Sequence, residues 1–100
     1  HEAGHMALNE ILRKKYINQN ALATDWNNNI TAQRIVNKAF ENLKINDIMQ
    51  KRKTLREIST HAVKYNANET IAEAFVDYYT NKSNARALSK EIVNVMKGMI

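Results

Sequence analysis

The sequence predicts an all-α chain of about five helices, and three observations carry that expectation. Across 100 residues there is no proline and glycine occurs only twice, at Gly4 and Gly98, so the two residues that most disfavour helix are nearly absent. Strong helix formers such as Ala, Leu, Lys, Glu and Met are plentiful. Most of the apolar residues recur at spacings of three and four, the period of one helix face. A chain of this length has enough material for one modest core, hence one domain spanning 1–100.

The first helix is expected from His1 to about Ile17. Ala3, Ala7 and Ile11 form one stripe, and Leu8, Leu12 and Tyr16 the next. Gly4 inside it costs about 1 kcal/mol relative to Ala, a cost that makes sense where another backbone approaches closely. Asn18 to Asn29 is rich in Asn and lacks sustained period, so it reads as a loop with at most one helical turn, with Trp26 capping the core. A second helix begins at Asn29 or Thr31 and carries Ala32, Ile35, Val36, Ala39, Phe40 and Leu43. Asp47 caps a third, with Ile48, Met49, Arg52 and Leu55, and a break is expected in the less regular stretch after Glu57. Asn68 is the expected cap of a fourth helix, Glu69 to about Asn81, whose apolar face is Ala72, Phe75, Val76 and Tyr79. On it Glu69, Glu73 and Asp77 recur every four residues and repel one another by a few tenths of a kcal/mol per pair unless cations or a metal stand opposite. A fifth helix runs from Ser83 or Asn84 to Lys97 on Leu88, Ile92, Val95, Met96 and Met99, and Gly98 ends it.

The net charge of +5 permits an acidic partner, but the basic residues are spread along the chain. Only Lys51-Arg52-Lys53 with Arg56 cluster, and these read as a solvated helix face, so nucleic acid is not an expected partner. Without cysteine there are no disulfides and no thiolate metal sites, so any metal must use His and carboxylates. No apolar run approaches the ~18 residues of a membrane span, and the chain reads as soluble with no membrane partner.

The chemistry is concentrated in His1-Glu2-Ala3-Gly4-His5. On a helix the two imidazoles lie one turn apart on one face, suited to Zn²⁺, with Glu2 beside them as a base for a zinc-activated water. A hydrolytic zinc site needs a third protein ligand, here His61 or a carboxylate. Glu69, which opens a helix bearing two further carboxylates, is the expected one. Glu73, one turn on, is placed to accept a hydrogen bond from the outer nitrogen of His1 or His5, while Asp77 is expected at the surface or in a salt bridge. Because the chain starts on the first of these ligands, it is expected to be a C-terminal fragment of a longer protein.

Together, His1-Glu2-Ala3-Gly4-His5 and Asn68-Glu69-Thr70-Ile71-Ala72-Glu73-Ala74-Phe75 resemble the zincin metallopeptidases whose third ligand is a Glu on a second helix. The second segment looks particularly like the catalytic domain of anthrax lethal factor and related metallopeptidase-like domains of phage and prophage head-morphogenesis proteins and bacterial toxins. The stretch from Ile58 to Ile92 is similar to the ends of those phage-associated proteins. The resemblance implies zinc as cofactor on His1, His5 and Glu69, Glu2 as general base and Glu73 as a carboxylate supporting the ligands. It also implies an oxyanion donor shortly before the third ligand, for which His61 and Tyr65 are the candidates. A zinc metallopeptidase acting on a peptide or protein substrate follows, located in the bacterial cytoplasm or in a phage particle, with an upstream sheet that this stretch lacks. The alternative is a non-catalytic phage structural domain, contacting head proteins, that retains the zincin helices. A weaker third reading is a basic nucleic-acid-binding module using Lys51, Arg52, Lys53 and Arg56.

Overall fold

In a computed structural model that describes residues 1–58 and 66–100, the periodic segments form six α-helices where five were expected, with no strand among the described residues. They are α1 (Glu2–Lys15), α2 (Gln19–Asn27), α3 (Ile30–Asn42), α4 (Ile48–Ile58), α5 (Ala67–Asn81) and α6 (Ala87–Lys97), with a 3₁₀ turn at Lys82–Asn84. None of these helices is long and apolar enough to cross a membrane. The fold is organised on α5, which packs against α1, α3 and α6. Leu8 and Leu12 of α1, Ile35 and Phe40 of α3, Ile71 and Ala74 of α5, and Leu88 and Ile92 of α6 are buried together.

Gly4 explains how α1 and α5 come so close. A Cβ at this position would stand 2.7 Å from Ala72 Cα and 3.0 Å from the Ile71 carbonyl oxygen. Both are backbone atoms of a buried helix, so they have nowhere to retreat, and only glycine fits.

The extra helix is α2, where a loop was expected. Asn18 makes it possible, because its Oδ1 accepts from the amides of Asn20 at 2.7 Å and Ala21 at 3.3 Å and so satisfies donors that the first turn leaves free. Asp25 then ties α2 to α3. Its buried carboxylate accepts from the Thr31 amide at 2.9 Å, the Thr31 hydroxyl at 2.7 Å and the Tyr16 hydroxyl at 2.8 Å.

Two helix starts differ from expectation. Helix α5 starts at Ala67 and its cap is Asn66, which accepts from the Glu69 amide at 3.0 Å. Asn68, the expected cap, is buried within the first turn. The apolar face of α5 is also rotated from the expected one. Ala72 and Phe75 are buried as expected, but Ile71 and Ala74 are buried with them while Val76 and Tyr79 are exposed, because α1, α3 and α6 together enclose that side. Helix α6 starts three or four residues late, at Ala87, because Lys82–Asn84 winds into the 3₁₀ turn. Asp77 serves its start, accepting from the Arg86 amide at 2.9 Å. Helix α6 does end at Lys97, although Gly98 keeps right-handed angles. The expected break after Glu57 falls largely on residues 59–65, outside the described part.

Two lysines hold positive φ. Lys44 (φ 60) follows α3 in a Schellman arrangement, with the Ile45 amide donating to Phe40 and the Lys44 amide to Glu41. Lys82 closes α5 at φ 51 and ψ −120, a combination costing an L-residue on the order of 1–3 kcal/mol.

Candidate metal centre

Because α1 and α5 touch at Gly4 and Ala72, their first turns lie side by side. His1 caps α1 and His5 lies one turn on, so both rings reach the start of α5. His1 Nε2 lies 2.8 Å from Glu69 Oε2, and His5 Nε2 lies 3.3 Å from Glu69 Oε1. The imidazoles meet edge to face with centroids 4.8 Å apart. One donor atom from each of His1, His5 and Glu69 fits within 4.8 Å of the other two.

The orphaned nitrogen of His5 tests whether these residues suit a metal ion. Its Nε2 is buried and, although Glu69 Oε1 stands 3.3 Å away, makes no well-directed hydrogen bond, and a buried polar atom left so is costly. A metal bond would satisfy it. Zinc bonds of roughly 2.0–2.2 Å to nitrogen and oxygen put neighbouring donors on one tetrahedral ion about 3.3 Å apart. The His5–Glu69 separation already matches that spacing, and His1–Glu69 is shorter because a hydrogen bond joins them. Two imidazoles and one carboxylate, with no thiolate in the chain, form a donor set that Zn²⁺ accepts.

Glu73 Oε1 stands 4.0 Å from His1 Nε2. That is the same nitrogen that meets Glu69, so Glu73 faces the cluster but does not hold the outer nitrogen as expected. Glu2 lies in the first turn of α1 and is exposed to solvent. His61 and Tyr65 lie outside the described residues. Asp77 is not part of the cluster. Burial alone would raise its carboxyl, but hydrogen bonds, including those from Asn81 and the Arg86 amide, and the Arg86 charge hold it below the usual carboxylate range.

Residues whose part in the site had no sequence signal surround His5 and Glu69. The Trp26 ring lies edge-on to His5 at 5.6 Å while also packing on the core. Asn68, next to Glu69, donates from Nδ2 to the Trp26 carbonyl at 2.9 Å, and its amide donates to Asn29 Oδ1 at 3.0 Å. The corner between α2 and α3 is thus fastened to the turn that carries Glu69. Compared with protein-family models, with characterised proteins and with solved structures, the chain matches none.

Proposed function

We propose that the chain is a zinc-dependent peptidase domain in which His1, His5 and Glu69 hold the ion. The observation that carries this reading is the convergence of those three donors from two helices, with the buried Nε2 of His5 facing the cluster and lacking any other partner. When bound, Zn²⁺ polarises a carbonyl and lowers the pKa of water to about 7.

The chain's own residues supply the remainder. Glu2, on the same helix as both histidines, accepts a proton from the attacking water and returns it to the leaving amine. Glu73 adds a second negative charge beside His1, favouring a bound cation. Trp26 restrains the His5 ring through its edge-on contact. The substrate is a peptide or protein, in line with the zincin resemblance of the two motifs.

Elemental mass spectrometry and a peptide-cleavage assay on the purified protein test the reading together. One equivalent of zinc is expected, lost in Glu69→Ala and His5→Ala and kept in Glu2→Gln, which loses turnover by 100-fold or more on the order expected for a general base. Absence of stoichiometric zinc would refute the site. Zinc retained with no cleavage of any peptide would leave the ion in a structural role, as in the non-catalytic phage-domain alternative.

A further inference from the structure

At the far end of α5, roughly 20 Å along the helix from Glu69 by its rise per residue, a hollow of about 440 Å³ opens between the 3₁₀ turn and α6. Its size falls within the roughly 300–1,000 Å³ of small-molecule sites. Lys82, Lys90 and Lys97 line it together with Tyr78 and Asn94. Lys90 Nζ donates to the Ser83 carbonyl at 2.6 Å, Lys97 Nζ approaches the Tyr78 hydroxyl at 3.5 Å, and Lys82 Nζ stands 5.4 Å over the Tyr79 ring.

The hollow is electrostatically unbalanced. Among the described residues none of the three lysines pairs with a carboxylate, and residues 59–65 contain no carboxylate to offer. Glu91 also lines the hollow and takes a bond from Asn42 Nδ2 at 3.0 Å. Three cations set against Glu91 and about half a negative charge at the end of each of α5 and α6 leave roughly one positive charge. A phosphate group, with about 1.5–2 negative charges at neutral pH, is of the sign that this excess attracts.

The backbone of Lys82 supplies a second, independent observation. With φ 51 and ψ −120, this position suits glycine, yet a lysine stands there. Strain of this kind concentrates where a side chain is held for a ligand. We propose that the hollow binds a small phosphate-bearing molecule, with the three lysines supplying charge. Because the Tyr78 oxygen accepts from Lys97, its O–H is left to donate, and the Asn94 amide gives a further donor. The half-buried Lys51 and the exposed Arg52, Lys53 and Arg56 offer comparable charge on α4, a helix with no fully buried residue.

The test is titration of the whole chain with inorganic pyrophosphate at about 0.15 M ionic strength, followed by NMR. Saturable shifts confined to residues 78–97 are expected, and Lys97→Gln is expected to weaken binding roughly tenfold, as for loss of a charge-assisted hydrogen bond. Lys82→Gly separates ligand binding from folding, since it is expected to raise the thermal midpoint while also weakening binding about tenfold. Lys44→Gly, which relieves the other positive-φ lysine, is expected to raise the midpoint and leave binding unchanged. The proposal is overturned by the absence of saturable shifts, by shifts centred on α4 that Lys97→Gln leaves unaltered, or by a single-stranded oligonucleotide that binds tighter than pyrophosphate with steep salt dependence.

Discussion

At the scale of a single residue, Gly4 shows how the site depends on an atom that is missing. In an isolated helix, replacing this glycine by alanine would stabilise by about 1 kcal/mol. Here the new methyl would meet Ala72 Cα at 2.7 Å, and forced overpacking of this kind costs typically 1–3 kcal/mol. Gly4→Ala is therefore expected to be net destabilising and, by pushing α1 from α5, to weaken zinc binding. Urea denaturation with and without zinc measures both effects. An Ala variant as stable as the parent, with unchanged zinc affinity, would show that the close approach is dispensable.

At the scale of elements, the fastening of α5 to the α2–α3 corner runs through Asn68. Asn68→Ala removes one bond to the Trp26 carbonyl, which keeps the bond from the Asn29 amide at 3.2 Å. A stability loss near 1 kcal/mol is expected, together with weaker zinc binding, because Glu69 follows directly and Trp26 leans on His5. Calorimetric zinc titration beside a thermal melt checks it; weaker stability with intact zinc affinity would mean that Asn68 serves the fold alone. The helical elements were largely legible in the sequence, since α1, α3 and α6 declare themselves through Leu8, Ile35, Ile92 and their periodic neighbours. The histidine–glutamate cluster was legible as well, because the two histidines share a helix turn and Glu69 opens a carboxylate-bearing helix. Helix α2 was not, because its start depends on a side-chain cap within an Asn-rich stretch and its hold on α3 depends on the tertiary contacts of Asp25. Ala72 and Phe75 of α5 lie on the buried face as expected, but Val76 and Tyr79 do not, for a related reason: neighbours on several sides, not the residues of α5 alone, decide whether Val76 or Tyr78 turns inward.

At the scale of the whole molecule, two carboxylates set the response to acid. Burial pushes Asp25 upward, but the bonds from Thr31 and Tyr16 and the charge of Lys15 outweigh it and hold the group below its usual 3.8. Asp77 is lowered likewise by its bonds and by Arg86. A carboxyl whose folded pKa is depressed binds fewer protons folded than unfolded, so it stabilises the fold above 3.8 and that contribution fades as pH falls through the folded value. The urea midpoint is accordingly expected to be level near neutrality and to drop below about pH 4. Asp25→Asn should be less stable at pH 7 and lose less on acidification. An equal drop in parent and variant would remove Asp25 from the acid response.

The cluster joins His1 to Glu69, 68 positions apart, and this separation has a consequence in time. The caps and helix turns form between near neighbours and need little of the chain. The three residues of the proposed metal centre are another matter. At synthesis rates of about 5–20 residues per second, Glu69 emerges roughly 3–14 s after His1. Throughout that interval the two imidazoles are exposed without their carboxylate, open to any soft metal nearby. On the proposed zinc reading, selection of the ion would wait until α5 has docked beneath α1, and folding itself would decide when loading begins.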